Sequence, residues 1–113
     1  MASVRQNKIS RLIQKEMGNI FLRESSEHFP GLMVTVTGVR MSPDMSVAKI
    51  FISIFGTENK NEVIEKIKSK TGRLRYELSG RIRRQVRSMP ELLFYLDDSL
   101  DYAENIERLL AKR

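Results

Sequence analysis

An apolar residue recurs every four positions through the most basic part of the chain. The four residues are Leu74, Leu78, Ile82 and Val86. This spacing aligns their side chains along one side of an α-helix, and we predict a helix over residues 73–88. At about 100° per residue, five arginines fall on the opposite side. They are Arg73, Arg81, Arg83, Arg84 and Arg87. The segment therefore predicts a helix that packs on an apolar core and presents guanidinium groups to solvent.

Charge is distributed unevenly along the sequence. Residues 60–90 carry ten Lys or Arg against three Glu, a local net charge of +7 in a chain whose total is +6. Glu77 is the single acidic residue within residues 73–88, so i,i+4 ion pairs along this helix are nearly absent. We therefore expect these arginines to be unneutralised. Because guanidinium groups match phosphate oxygens in bidentate geometry, nucleic acid is the partner that the sequence favours.

The remaining composition argues against an enzyme. The chain contains no Cys, and His28 is its single histidine. We find no nucleophile, phosphate-binding or zinc motif, so we expect no catalysis, no cofactor and no metal. Three acidic residues near the C-terminus fit a strand exit and a helix cap better than a Mg²⁺ site. These are Asp97, Asp98 and Asp101. Neither a signal peptide nor a membrane-length apolar run is evident, so we expect a cytoplasmic protein without a membrane partner.

The first half of the chain reads as a helix followed by a hairpin. We predict a helix over residues 4–23, capped by Ser3, and a loop over residues 24–32 that contains the breaker Pro30-Gly31. Residues 33–39 and 47–55 are rich in β-branched and aromatic residues and predict two strands. The intervening Ser42-Pro43-Asp44 has turn chemistry, and so short a connection predicts an antiparallel pair.

The second half reads as a broken helix, a strand and a final helix. A helical pattern begins near Val63, and Gly72 predicts a kink before the Arg-rich helix. Pro90 ends the helical pattern, and residues 92–96 form a compact third strand. Asp98 and Asp101 would cap a final helix, whose buried residues are Ala103, Ile106, Leu109 and Leu110. The order α-β-β-α-kink-α-β-α over residues 1–113 predicts a single α+β domain, with a three-stranded sheet and helices on one face.

This order, with its basic helix pair, resembles a type II KH domain. KH domains clamp single strands with a GxxG loop, whereas the helix junction here is Lys70-Thr71-Gly72 and GxxG is absent. Several stretches together resemble the bacterial ribosome-binding factor A family over nearly the whole chain. They are VTVTGVRMSPDM (34–45), AKIFIS (48–53), GRLR (72–75), RIR (81–83) and PELLFYLDDS (90–99). The family usually has Ala-x-Gly at the kink, where this chain has Lys70.

The resemblance implies a non-enzymatic assembly factor. Members of the family bind the free small ribosomal subunit, assist late maturation and 5′-end processing of 16S rRNA, and support growth in the cold. For this chain it implies a KH-like fold and a monomer that contacts 16S rRNA in the free 30S particle. Other assembly factors are further candidate partners.

We expect the basic helices to supply the rRNA contacts. The predicted RNA-binding residues are Lys66, Lys70, Arg73, Arg75, Arg81, Arg83, Arg84 and Arg87. The polar side of the first helix offers a second contact through Arg5, Lys8, Arg11 and Lys15. We further expect that changing Arg81, Arg83 and Arg84 together to Glu abolishes association with the subunit and leaves the fold intact.

Two alternatives remain open at this point. A general KH-type binder of single-stranded RNA would bind short oligonucleotides, although the missing GxxG argues against it. A protein-interaction module would instead use the acidic C-terminal part to contact a basic protein. Its acidic residues are Asp97, Asp98, Asp101, Glu104 and Glu107.

Overall fold

A computed structural model describes residues 3–97 of the chain. Three helices and three strands follow one another in the predicted order, so the α+β class is confirmed. The elements are α1 (Val4–His28), β1 (Met33–Met41), β2 (Val47–Phe55), α2 (Lys60–Ser69), α3 (Thr71–Ile82) and β3 (Glu91–Leu96). The predicted C-terminal helix lies outside the described residues. Within residues 3–97, no helix has both the length and the apolar character needed to cross a membrane.

The three strands form one sheet in the order β1-β2-β3. β1 and β2 pair antiparallel, which confirms the predicted hairpin, and a bulge interrupts their register between Val36 and Gly38. β3 runs parallel to β2, from Val47 opposite Glu91 to Ile52 opposite Leu96. Parallel neighbours require a long crossover connection, and here α2 and α3 provide it.

The core lies between the sheet and the helices. Alternate residues of β2 point towards the helices and are almost completely buried, whereas Lys49 and Phe55 on the other face are exposed. The helix-facing residues of this strand are Ala48, Ile50, Ile52 and Ile54. From α1, Phe21 packs edge-to-face on Phe94 of β3, with ring centroids 6.1 Å apart. This arrangement gives the predicted sheet with helices on one face.

Helix α1 is longer than the sequence predicts. It begins at the expected cap, where Ser3 and Gln6 form a reciprocal capping box, but it continues to His28 rather than ending at Arg23. The prediction of a loop from residue 24 was wrong because Glu24 lies on the buried side of the helix. A carboxylate at such a position breaks the apolar pattern in the sequence, and only a partner from elsewhere in the fold makes its burial tolerable.

Helix α3 is shorter than the sequence predicts. It ends at Ile82, and the backbone N–H of Gln85 then donates to the Ile82 carbonyl in a tight turn. The predicted helix over residues 83–88 was therefore wrong. The chain must reverse here to place β3 beside the first residue of β2, and Pro90 disfavours a helical conformation at the residue before it. Val86 still packs against the core, but from an irregular segment.

The predicted break between α2 and α3 is confirmed, but it lies at Lys70, two residues before Gly72, which is inside α3. Ser69 ends α2, Thr71 begins α3, and Lys70 between them has φ −101° and ψ 12°. The two helices therefore project different sides towards solvent, and the basic residues of 60–90 do not form a single stripe.

Candidate nucleic-acid interface

Helix α3 has the amphipathic character that its sequence predicts. Leu74, Leu78 and Ile82 are almost completely buried against the sheet. The arginines Arg73, Arg75 and Arg81 lie on the exposed side. The helix therefore carries guanidinium groups away from the core, and their surroundings decide whether they are available to a partner.

Two of these arginines are paired with carboxylates from α1. Arg73 Nη2 lies 2.7 and 2.6 Å from the two carboxylate oxygens of Glu24, whose side chain is 3% exposed. Arg81 Nη1 donates to Glu16 Oε2 at 3.1 Å. The expectation that the arginines are unneutralised was wrong for both, because their partners come from a helix some 50–65 positions earlier in the chain. A third bridge joins the same helices in the opposite sense, from Arg23 of α1 to Glu77 of α3.

Arg75 holds the connection that follows α3. Its Nε donates to the Pro90 carbonyl at 3.0 Å and its Nη2 donates to the Met89 carbonyl at 2.9 Å. Two backbone acceptors immediately before β3 are satisfied in this way. The side chain therefore fixes the 83–90 connection against the helix.

The arginines of the 83–90 connection are placed differently. Arg83, Arg84 and Arg87 are all exposed, and Arg83 is the C-cap of α3. The backbone N–H of Arg83 donates to the Ser79 carbonyl at 2.9 Å, but within residues 3–97 none of the three guanidinium groups makes a hydrogen bond or an ion pair. Their charge is consequently not offset within the described part of the fold.

The two predicted lysines of the α2 region each have a partner. Lys66 Nζ lies 4.0 Å from Glu62 one turn earlier, a pair in which both side chains are largely exposed. Lys70 Nζ lies 5.3 Å from the centroid of the Phe29 ring, within the range of a cation–π contact. Exposed i,i+4 pairs are weak, so Lys66 keeps most of its availability.

The polar side of α1 is as exposed as predicted. Four cations lie along it, and within the described part of the chain none has a charged or hydrogen-bonded partner. They are Arg5, Lys8, Arg11 and Lys15.

A groove brings together one unpaired cation from each of these two groups. It has a volume of about 210 Å³, and Arg5 from α1 and Arg87 from the 83–90 connection both line it. The turn between β1 and β2 contributes Asp44 to the same groove. Residues predicted as a primary and a secondary RNA contact therefore border one feature of the surface.

The sequence did not reveal the acidic residues that pair with the arginines of α3. It also did not reveal two cations on the sheet face opposite α1, α2 and α3. Glu16 and Glu24 were not considered, although Glu24 follows Ile20 by four residues and so continues the apolar side of α1. Arg40 and Lys49 are exposed and face each other across the β1–β2 pair. The alternation of the strands could have placed both on one sheet face.

The acidic residues do not form a cation site in the described structure. Asp97 accepts a hydrogen bond from Thr37 Oγ1 at 2.5 Å, whereas Asp98 and Asp101 lie outside the described residues. His28 Nε2 lies 3.5 Å from Glu24 Oε2 in the last turn of α1. Over residues 3–97, no three His, Asp or Glu side chains are grouped so that they could hold a metal ion.

Sequence comparison gives a family match over nearly the whole chain. The family model described as ribosome-binding factor A matches residues 5–110. A ribosome-binding factor A from Cytophaga hutchinsonii is 52% identical over 112 residues, which are 99% of this chain and 84% of that protein.

Comparison with solved structures gives the same fold. The crystal structure of ribosome-binding factor A from Thermus thermophilus has a TM-score of 0.67 at 23% identity, over 80% of this chain and 94% of the other. A Thermus thermophilus ribosome-binding factor A homology model, fitted into the cryo-EM map of a 30S complex, has a TM-score of 0.61 at 23% identity. That match covers 87% of this chain and 97% of the other. At this identity the likeness concerns the fold, which is KH-like.

Proposed function

Since this chain belongs to the ribosome-binding factor A family, we propose that it binds the small ribosomal subunit through its unpaired cations. The observation that carries the proposal is that one exposed arginine from each group, Arg5 and Arg87, lines the same groove, and neither guanidinium group has a partner within residues 3–97. A Thermus thermophilus relative of the same fold was fitted into the map of a 30S complex, which supports the choice of subunit.

The contact surface that we propose has a centre and two extensions. Arg83, Arg84 and Arg87 form the centre, and they bind phosphates of 16S rRNA. The polar side of α1 extends the surface on one side through Arg5, Lys8, Arg11 and Lys15. The second extension is separate from the centre: Lys66 and Lys70 lie near the opposite end of α1, where Lys70 contacts the Phe29 ring. Because the GxxG clamp is absent, the protein recognises the backbone and shape of folded RNA rather than the sequence of a short strand.

Three other arginines build this surface more than they bind at it. Arg73 and Arg81 hold α3 to α1, and Arg75 fixes the 83–90 connection. These contacts orient the unpaired cations without using their charge. A surface whose charges are positioned in advance loses less conformational entropy when it binds.

We place this binding in assembly of the subunit. The protein acts as a monomer in the cytoplasm and binds free 30S particles. There it assists late maturation and 5′-end processing of 16S rRNA, and it supports growth in the cold. It does so by binding, without catalysis, and other assembly factors share the particle with it.

Charge reversal of the proposed centre tests the binding. We expect the double variant Arg84→Glu with Arg87→Glu to lose association with free small subunits by about 100-fold, since each reversed charge replaces attraction to phosphate with repulsion. The measurement is co-sedimentation in sucrose gradients at physiological salt. Arg81 is left unchanged because a glutamate there would face Glu16 and disturb the fold.

A matched control is available on the opposite face of the sheet. Arg40→Glu with Lys49→Glu makes the same change in charge at two exposed residues, and we expect it to retain most of the association. Equal loss in both doubles would overturn the proposed surface, because it would show attraction by net charge alone. In cells that depend on this protein, the first double should also accumulate 16S rRNA with an unprocessed 5′ end, and the control should not.

A further inference from the structure

The groove lined by Arg5 and Arg87 is built from three segments that are tied to one another. Gln6 of α1 donates to the Ser42 carbonyl at 3.1 Å, which attaches the β1–β2 turn to the start of α1. The backbone N–H of Glu91 donates to the Ser46 carbonyl at 2.8 Å, which attaches the same turn to the start of β3. With Arg75 holding the carbonyls of residues 89 and 90, all three walls are fixed in the free protein.

The walls of the groove differ in chemistry from its rim. Ile9, Met41, Met45 and Val86 give it an apolar lining. Two of these are methionines, which adapt well to flat and polarizable surfaces. Met45 has φ +62°, an unfavourable backbone conformation for a side chain of this size. The turn therefore holds a long apolar side chain at the groove at some cost in backbone energy.

The rim carries two cations and one anion. Arg5 and Arg87 line the groove, and within residues 3–97 both guanidinium groups are unpaired. Asp44 Oδ1 accepts three hydrogen bonds, from the Ser42 hydroxyl at 2.7 Å, the Ser46 hydroxyl at 2.7 Å and the Ser46 backbone N–H at 3.1 Å. Asp44 Oδ2 accepts none from the described residues.

The carboxylate of Asp44 is ionised at neutral pH. Hydrogen bonds from Ser42 and then Ser46 lower its pKa from 3.8 to about 2. An ionised carboxylate accepts hydrogen bonds and donates none. Asp44 Oδ2 is consequently a fixed acceptor beside an apolar surface, and it favours a ligand that carries both a flat apolar face and an N–H donor.

We propose that this groove receives one unstacked nucleotide, with its phosphate on Arg5 and Arg87, its base against Met41 and Met45, and an exocyclic amino group donating to Asp44 Oδ2. The proposal rests on the proposed function, because the nucleotide comes from the rRNA. Cytosine, adenine and guanine carry such an amino group. Uracil lacks one, and its single N–H donor in the Watson–Crick edge, at N3, is flanked by two carbonyl oxygens that repel the carboxylate. The groove therefore disfavours uracil, which is base discrimination at a single position on a surface that otherwise contacts RNA backbone.

The test compares CMP with UMP as soluble probes. We expect CMP to shift the methyl NMR signals of Ile9, Met41, Met45 and Val86 in the wild-type protein, and to bind about tenfold more tightly than UMP, as one charged hydrogen bond implies. Absence of these shifts with CMP, or equal affinity for both nucleotides, overturns the groove proposal. Neither result depends on a variant that could fail to fold.

Two variants separate the parts of the site. Asp44→Asn supplies an amide that can also donate to a uracil carbonyl, so we expect the preference for CMP to fall to about twofold or less. Arg5→Gln with Arg87→Gln should weaken both nucleotides by about tenfold, whereas Arg40→Gln with Lys49→Gln, at the same change in charge, should weaken neither. An equal loss in the two doubles overturns the assignment of the phosphate to the groove.

Co-sedimentation distinguishes this proposal from the one on which it rests. If the wild-type protein binds small subunits but CMP leaves the methyl signals of the groove unchanged, the proposed subunit interface stands and the proposed nucleotide site is wrong. A protein whose groove responds to CMP but which does not co-sediment overturns the subunit interface, and with it the rRNA as the source of the nucleotide.

Discussion

Two groups of arginines from the same basic stretch have different surroundings in the fold. Arg73 and Arg81 lie on α3 and pair with carboxylates of α1, at distances of 2.6 to 3.1 Å. Arg84 and Arg87 lie only a few residues further along, are exposed, and have no partner among residues 3–97. The difference shows that a run of like charges in a sequence can contain charges that are paired within the fold next to charges that are available to a binding partner. Whether an arginine is paired depends on the acidic residues that another helix places beside it.

The largest expected difference between the two groups of arginines is in their contribution to stability. We expect Arg73→Ala to lower the free energy of unfolding by about 2 kcal/mol, because it leaves the carboxylate of Glu24 buried without its main partner. The figure lies below the range for fully buried pairs, since the Arg73 side chain is 45% exposed and solvent screens part of the interaction. Urea denaturation measures the change.

The matched substitution is Arg84→Ala, at an exposed arginine without a described partner. We expect it to change the free energy of unfolding by less than about 0.5 kcal/mol. If Arg73→Ala proved as mild as Arg84→Ala, the division into structural and available arginines would fail. Glu24→Gln in the Arg73→Ala background should recover part of the loss, because it removes the unpaired charge.

A smaller effect separates the two groups by the salt dependence of subunit binding. We expect Arg87→Gln to reduce the slope of log K against log salt by about 0.7 to 0.9, the contribution of one neutralised phosphate. Arg81→Gln should leave the slope nearly unchanged, because its charge is already offset by Glu16. The measurement is the association constant at several salt concentrations. A larger change for Arg81→Gln than for Arg87→Gln would reverse the assignment.

The fold followed from local signals where those signals agreed with the tertiary structure. The alternation of β2 predicted its bounds of 47–55 correctly, and the predicted break between two helices is real, although it lies at Lys70 rather than at Gly72. The two largest errors, at the end of α1 and at the end of α3, depend on distant contacts. Helix α1 extends past Arg23 because the carboxylate of Glu24 pairs with Arg73. Helix α3 ends at Ile82 because the chain must turn back to form β3. Neither contact has a signature in the local sequence.

The candidate site was predicted less completely than the fold. Charge and periodicity located the basic region, and exposure of Arg84 and Arg87 agrees with that reading. The pairing of Arg81 with Glu16 spans 65 positions and could not be read from spacing. The groove was equally hidden, because Arg5, Asp44 and Arg87 meet there only after three segments have packed.

The smallest effect tests whether the groove arginines are free of the one carboxylate beside them. The lowered pKa of Asp44 has its causes in hydrogen bonds from Ser42 and Ser46, and no arginine contributes to it. We therefore expect Arg5→Gln with Arg87→Gln to leave this pKa near its value of about 2, whereas Ser42→Ala raises it towards 3.8. Carboxyl chemical shifts followed by NMR from about pH 5 down to strong acid, across the ordinary range of a carboxyl pKa, measure both.

The sign of the accompanying change in stability follows from the direction of the shift. A carboxyl group with a lowered folded-state pKa contributes stability above its unfolded value of 3.8 and loses that contribution as the pH falls through about 2. The wild-type protein should thus lose this contribution between about pH 3.8 and pH 2, whereas Ser42→Ala, whose folded-state pKa lies nearer 3.8, has less of it to lose over the same range. A rise in the pKa of Asp44 on removal of the two arginines would show that they pair with it. They would then belong with Arg73 and Arg81 as structural charges, and the groove would have no free cation for a phosphate.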